Sequence, residues 1–295
     1  MILLEFVNKV IEDNLLERMN TKETSALEYK CADFDGAQFH VFSDQANPSL
    51  ITVSFQSTAA SALLKNGAND LLQEKYGSHL ITPESGYDVS IQWDLSTVAE
   101  SDYAKVANEI ARLKSYLYGS IVLKVCAEAE SGQKGTLYDI PLRDSEERMW
   151  LRADSTDRVT VVFSINFTDA DDIVFGKVFL QEFKKTLAGA PTVDFVYKNP
   201  PLELQSVRDL PRSQNIGYVT FVVYDRHFKG DKKVGVSESL PTFRNYLHYH
   251  IKCSKSHLHT RMRNRVDLLL QILNRAKQDL DKEKKTATGR TFNRK

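Results

Sequence analysis

The sequence predicts an α+β protein: two similar α/β sandwich-like units with antiparallel sheets, followed by one long C-terminal α-helix. Three observations carry that prediction. Short runs of alternating apolar and polar residues, separated by turn residues such as Asp35-Gly36 and Asn47-Pro48, recur in clusters. The same order of strand-like and helix-like segments appears twice. Residues 240–280 contain no glycine, no proline after Pro241, and an unbroken helical spacing of apolar side chains.

Taken in order, residues 2–19 place Leu3, Val7, Val10, Ile11 and Leu15 on one helical face. A meander of strands follows at 27–32, 38–42 and 50–55, with Asp35-Gly36 in its first turn and Asn47-Pro48 in its second. A helix is expected over 57–76, interrupted near Asn66-Gly67 and ended by Gly77. After the turn at 83–86, residues 87–95 alternate through Tyr87, Val89, Ile91, Trp93 and Leu95, the pattern of a half-buried strand. A helix over 102–118 closes the first unit.

From Ile121 the order repeats with longer insertions. Strands are expected at 121–127, 136–142, 148–153 and 158–167, where Thr160-Val161-Val162-Phe163 echoes Thr52-Val53-Ser54-Phe55. An acidic cap at 168–172 opens a helix through Phe175, Val178, Phe179 and Phe183 that ends near Gly189-Pro191. A strand at 192–197 and the Pro200-Pro201 break come next. Then 217–224 matches 86–93 in pattern and leads into the long helix. The expected divisions are a first domain at 1–119, a second at 120–239, the helix at 240–280 and a flexible tail at 281–295.

The long helix sets the functional question. Phe243, Leu247, Ile251, Leu258, Met262, Val266, Leu269 and Leu273 share one side, and roughly forty residues at about 1.5 Å each reach about 60 Å. One domain cannot bury so long a stripe, so part of it should face another polypeptide. Pro241 reads as a first-turn residue and Ser239 as the N-cap. From Pro241 to Arg275 the segment carries Arg244, Lys252, Lys255, Arg261, Arg263, Arg265 and Arg275 against the single acid Asp267, a net of +6 before four histidines. Arg261 and Arg265 lie beside the apolar stripe; they either snorkel to water or meet a partner's carboxylates in bidentate pairs.

Composition and motifs exclude several classes. Lys plus Arg and Asp plus Glu both number 39 in 295 residues, so the cationic helix belongs to a neutral chain that is no general polyanion binder. Cys31, Cys126 and Cys253 are odd in number and widely spaced, pointing to a reducing compartment rather than a disulfide framework. No signal peptide and no uncharged apolar run near the roughly 18 residues of a membrane span are present. Phosphate-binding glycine loops, the G-x-S-x-G elbow and H-E-x-x-H are all missing, so no enzyme and no cofactor is expected. Asp33-Phe34-Asp35-Gly36 resembles the kinase D-F-G only superficially and reads as a hairpin turn. Asp169, Asp171 and Asp172 lack the glycine and glutamate of a calcium loop and suit a helix N-terminus. His250, Cys253 and His257 fall on one helical face as a zinc-like set, but a closed site lacks its fourth ligand, so no metal is expected.

The run Tyr246-Leu247-His248-Tyr249-His250-Ile251-Lys252-Cys253-Ser254-Lys255, with His259-Thr260-Arg261-Met262-Arg263, resembles the signature of the subunit 2 family of the actin-related protein 2/3 complex. Further anchors are the stretches at 1–5, 32–36, 83–87, 157–164, 176–179, 200–204 and 215–218. The resemblance runs end to end, interrupted near 17–28, 122–148 and 226–240. It implies a non-catalytic, actin-binding scaffold subunit that pairs with subunit 4, holds the two actin-related proteins with the other complex subunits, and contacts the side of a mother filament during nucleation of branched actin filaments. By that resemblance Leu247, Ile251, Leu258, Met262, Val266, Leu269 and Leu273 would form the interface stripe, packing on this chain near its beginning and on the subunit 4 helix further along, with Arg261 and Arg265 at its edge. Lys252, Lys255, Arg263 and Arg275 would face filamentous actin. The implied location is cytoplasmic, at the actin cytoskeleton of the cortex and protrusions, with the nucleus as a further compartment. A nucleic-acid binder or a lipid-surface protein would also use a basic helix; the neutral chain and the helix's continuity with a folded domain speak against both, and no membrane insertion is expected.

Overall fold

The computed structural model describes residues 4–133, 135–143, 146–184, 190–211, 213–276, 284–285 and 291–292. It divides into a body, residues 1–251, and a second unit, residues 252–295. In the body, helix α1 (Lys9–Thr21) starts where the Asn8 side chain accepts a hydrogen bond from the Ile11 amide at 3.2 Å. Strands β1 (Leu27–Ala32), β2 (Gln38–Ser43) and β3 (Leu50–Gln56) form the expected meander. Helices α2 (Ala60–Leu63) and α3 (Asn69–Tyr76) flank a π-turn at Leu64–Ala68, where Gly67 takes φ +101°. Its Asn66 carbonyl is bonded by Lys124 at 3.0 Å. Strands β4 (Leu80–Ile81) and β5 (Val89–Asp94) complete an antiparallel sheet of order β1-β2-β3-β5-β4.

Helices α4 (Tyr103–Ala111) and α5 (Leu113–Glu130) come next. The second half then lays down β6 (Leu137–Pro141), β7 (Arg148–Ser155), β8 (Arg158–Asn166), α6 (Ala170–Lys184), β9 (Thr192–Tyr197) and β10 (Ile216–Tyr224) in the order β6-β7-β8-β10-β9. Both sheets therefore make the same move. After the third strand the chain crosses by helix to an edge, and the last strand fills the gap beside the third. Val53 pairs with Ile91 and Val161 with Phe221, so Phe221 is the counterpart of Ile91. That register lies one residue away from the match of 217–224 with 86–93, and a one-residue shift exchanges the faces of a strand.

Besides the helix expected over 2–19, which begins only at Lys9 and leaves Val7 outside it, two expectations are corrected. Residues 121–127, expected as a strand, are the middle of α5. Ile121, Val122, Val125 and Cys126 are all buried, because α5 meets side chains on several sides; a helix apolar all round shows no helical period to read. The second correction concerns the long helix. After α7 (Asp225–Phe228), α8 runs Lys232–Ala276, so it starts eight residues before 240, and Pro241 is internal. Ser239 is not its N-cap. Pro241 has no N–H to give the Ser237 carbonyl one turn back. That carbonyl faces Gly119 of α5, where an added Cβ would sit 3.1 Å from it. Gly119→Ala is accordingly expected to cost about 1–3 kcal/mol by forcing α5 and α8 apart, read as a lowered unfolding midpoint.

One main core joins both sheets with α1, α5 and the first turns of α8, through residues such as Phe39, Phe55, Leu117, Phe163, Phe243 and Leu247. In the second unit, Lys284–Lys285 and Thr291–Phe292 pair as short strands β11 and β12. The rest of the expected tail, the helix end at 277–280 and Gly189 lie outside the described residues.

Candidate protein-interaction surface

The body grips the beginning of α8 by both packing and charge. Phe243 sets its ring 4.6 Å from Phe221 and 5.4 Å from Phe163 (centroid distances), while Leu247 and Ile251 are 0% and 1% exposed. A charged residue one position from Phe243 must enter the same interior, and it does so paired. Arg244 Nε donates to Glu147 Oε2 at 2.8 Å, with side-chain exposures of 3% and 2%. Glu147 Oε1 faces His248 Nε2 at 3.1 Å, and Arg244 Nη1 also donates to the Phe34 carbonyl at 3.0 Å and to Asn245 Oδ1 at 3.1 Å. Burial pushes the Glu147 pKa up, but the His248 hydrogen bond and the Arg244 and His248 charges outweigh it and hold the carboxyl below its ordinary value.

The Asp33–Gly36 turn takes part in the same grip. It is the β1–β2 hairpin turn, with Gly36 at φ +82°, as its residues suggest. Lys114 of α5 reaches Asp33 at 2.5 Å and Asp35 at 2.6 Å, and the Phe34 ring lies 6.1 Å from Tyr249 of α8. Burial again works to raise the Asp33 pKa, and the Lys114 charge with its hydrogen bond lowers it on balance. Arg112 adds an ion pair to Glu238 on the first turns of α8. The start of the helix is thus tied to the first hairpin, to α5 and to the segment before β7.

The predicted interface residues fall into two groups. Leu247 and Ile251 pack inside the body. Leu258, Met262, Val266, Leu269 and Leu273 are exposed, by between 44% and 57%. Three further exposed residues escaped the sequence reading: Leu268, Leu270 and Ile272, at 59%, 49% and 55%. At 100° per residue, Leu268, Ile272, Leu269, Leu273, Val266 and Leu270 cover an arc of about 200°, twice the width of an ordinary core-facing stripe. The unbroken run of three leucines was the available signal; a search for period alone passed it by.

Among the cations, Lys252, Arg261, Arg263, Arg265 and Arg275 are exposed and Lys255 is half-buried. On a helical projection Lys252 and Arg263 lie within about 20° of each other, well away from Leu258 and Leu269, while Arg261 and Arg265 flank the apolar stripe. Of the proposed zinc set, the His250 ring stacks on Phe179 at 5.6 Å and meets Tyr246 at 4.4 Å. Cys253 is exposed. Among the described residues no group of three or more His, Cys, Asp or Glu is placed to hold a metal ion. Asp171 and Asp172 lie in the first turn of α6, where acids complement the helix dipole. No described helix is long and apolar enough to cross a membrane.

What this arrangement offers chemically is a surface for binding. It offers a helix anchored at one end by a buried ion pair, with a broad apolar arc on one side and cations on another. Known proteins are similar to this chain over nearly its whole length. Residues 53–280 match the family described as Arp2/3 complex, 34 kD subunit p34-Arc. The chain is 34% identical over 318 residues to actin-related protein 2/3 complex subunit 2 of Schizosaccharomyces pombe, and 38% identical over 300 residues to the protein of the same name in Dictyostelium discoideum. Each of these matches covers 99% of both chains.

Proposed function

The chain belongs to the family of the 34 kD subunit of the Arp2/3 complex, and from that premise we propose that it is a non-catalytic scaffold subunit of such a complex. In this reading it pairs with subunit 4, helps hold the two actin-related proteins, and contacts the side of a mother filament when a branch is nucleated. It works in the cytoplasm at the actin cytoskeleton. The observation that carries the proposal is the exposed apolar arc of α8, which has no reason to face water in a finished assembly. Leu258, Met262, Val266, Leu269 and Leu273 take the subunit 4 contact, with Arg261 and Arg265 pairing at its edge. Two similar domains support the helix, a reading favoured by the repeated strand order, although the expected bounds at 119/120 and 239/240 fall inside α5 and α8. The contribution to nucleation is geometric: a rigid platform lowers the entropic cost of gathering actin-like subunits.

Lys252, Lys255, Arg263 and Arg275 take the filament contact. One exposed pair is worth under about 1 kcal/mol, so they act as a group. Reversing Lys252→Glu and Arg263→Glu together is expected to weaken filament-side binding about tenfold and to lower branch density, with the complex still assembled. Co-sedimentation with filaments and branch counting measure both. Unchanged branching would remove these cations from the filament contact, and a steep salt-dependent affinity for nucleic acid with none for filaments would favour the other reading.

A further inference from the structure

The connection from β9 to β10, residues 198–215, differs from its counterpart over the first sheet, the short stretch 82–88 between β4 and β5. Its described residues have an apolar cluster of their own against the second sheet. Leu204 is fully buried there, and with Val207 and Leu210 it packs on Trp150, Val162, Ile216 and Tyr218. Hydrogen bonds pin it further: Tyr218 Oη donates to the Pro211 carbonyl at 3.2 Å and Tyr197 Oη to the Gln214 carbonyl at 2.9 Å. A long connection fixed by its own packing is a platform rather than slack chain.

On this platform lies a groove of about 490 Å³. Pro200, Val207, Leu210 and Pro211 give it apolar surface, and among the described residues its charged lining is Lys198 and Arg208. Glu203 and Asp209, the acids of the same connection, do not line it. Lys198 holds φ +68°, a conformation costly for a residue with a Cβ, while its amide bonds the Ile216 carbonyl at 2.9 Å. Its ammonium lies 5.5 Å from the Tyr197 ring centroid, and that of Lys177 lies 4.4 Å from the same ring. Two cations thus crowd one aromatic ring, and Arg208 lines the same groove as Lys198. Among the described residues, none of the three has an ion-pair partner.

We propose that this groove docks an acidic peptide segment of a partner protein, its carboxylates meeting Lys198 and Arg208 and an apolar side chain lying on Leu210 and the two prolines. Charge complementarity selects the occupant: a carboxylate-bearing peptide relieves the repulsion among the cations and also uses the apolar floor. Nucleic acid fits poorly, because a polyphosphate would gain nothing from prolines and leucine and would need a wider cationic track than two residues in a neutral chain. The site is independent of the α8 surface.

The test uses the assembled complex containing this chain and a fluorescein-labelled peptide of alternating glutamate and leucine, followed by anisotropy. Saturable binding is expected, weakened tenfold or more by Lys198→Gln with Arg208→Gln. Lys198→Gly, which relieves the backbone while removing the ammonium, is expected to weaken it as well. Undiminished binding by these exposed-site variants would overturn the proposal. So would equal binding of a lysine-leucine peptide, or displacement by inorganic triphosphate as effective as by unlabelled peptide, which would mark a bare anion site.

Discussion

Replacing Leu269 and Leu273 together by aspartate is expected to leave the body folded and the complex unassembled. Both side chains are more than half exposed in the chain by itself, and surface substitutions of that kind usually change stability by about 0.5 kcal/mol or less. In the proposed interface the outcome reverses. Each change removes an anchor and puts an unpaired carboxylate against apolar surface, at a cost of about 2 kcal/mol or more apiece. About 4 kcal/mol in total lowers affinity nearly a thousandfold. Size-exclusion chromatography of the co-expressed subunits would show the variant chain eluting without its partners, while circular dichroism reports an unchanged melt. Recovery of the intact complex would show that this arc is not an interface. Leu268→Asp and Ile272→Asp sharpen the result: if one helix alone covers α8, they should be nearly silent, whereas a partner surface that wraps the wide arc makes them as damaging as the first pair.

The apolar half of that surface was legible in sequence because a helix displays its period openly. The sequence placed the beginning of the stripe on the chain's own body, but not the residue at which the body lets it go. Leu247 and Leu258 look alike in spacing, and only the fold buries the first and leaves the second exposed. The sheets were legible for a similar reason: Val89 and Ile91 alternate with polar neighbours, and Asp35-Gly36 announces a turn. The α5 helix was not, since burial all round erased its period. The start of α8 misled in a different way. Ser239 and Pro241 make a proper start signal locally, and only the close approach of Gly119 reveals why a proline is accepted inside a helix. Glu147 was the least legible residue of all. Its partner Arg244 stands 97 positions away, and no local pattern links a carboxylate before one strand to a guanidinium on a distant helix.

That pair supports the second large prediction, Glu147→Gln. The substitution keeps the shape and removes the charge, leaving Arg244 buried without a counter-ion, a situation that costs about 3–5 kcal/mol. Pairing the change with Arg244→Met removes the orphaned cation. Recovery should be partial, because Arg244 also serves the Phe34 carbonyl and Asn245, and Glu147 also accepts from His248. The pH dependence separates charge from packing. Because the folded-state pKa of Glu147 is depressed, its contribution is fully present above the unfolded value of about 4.3 and is lost as pH falls through the lower folded value. The stability gap between the native chain and Glu147→Gln should therefore be widest near neutrality and close below pH of about 4. Chemical unfolding of the full chain at a series of pH values measures that gap. A gap independent of pH would assign the loss to packing, and the ion pair would then have no part in holding the helix. If the gap closes as expected, the start of α8 is held on the body by a buried charge as well as by apolar contacts. The double variant should then fold yet assemble poorly, since hydrophobic replacements can restore stability without restoring the bonds that fix the helix to the Phe34 turn and to Glu147 together.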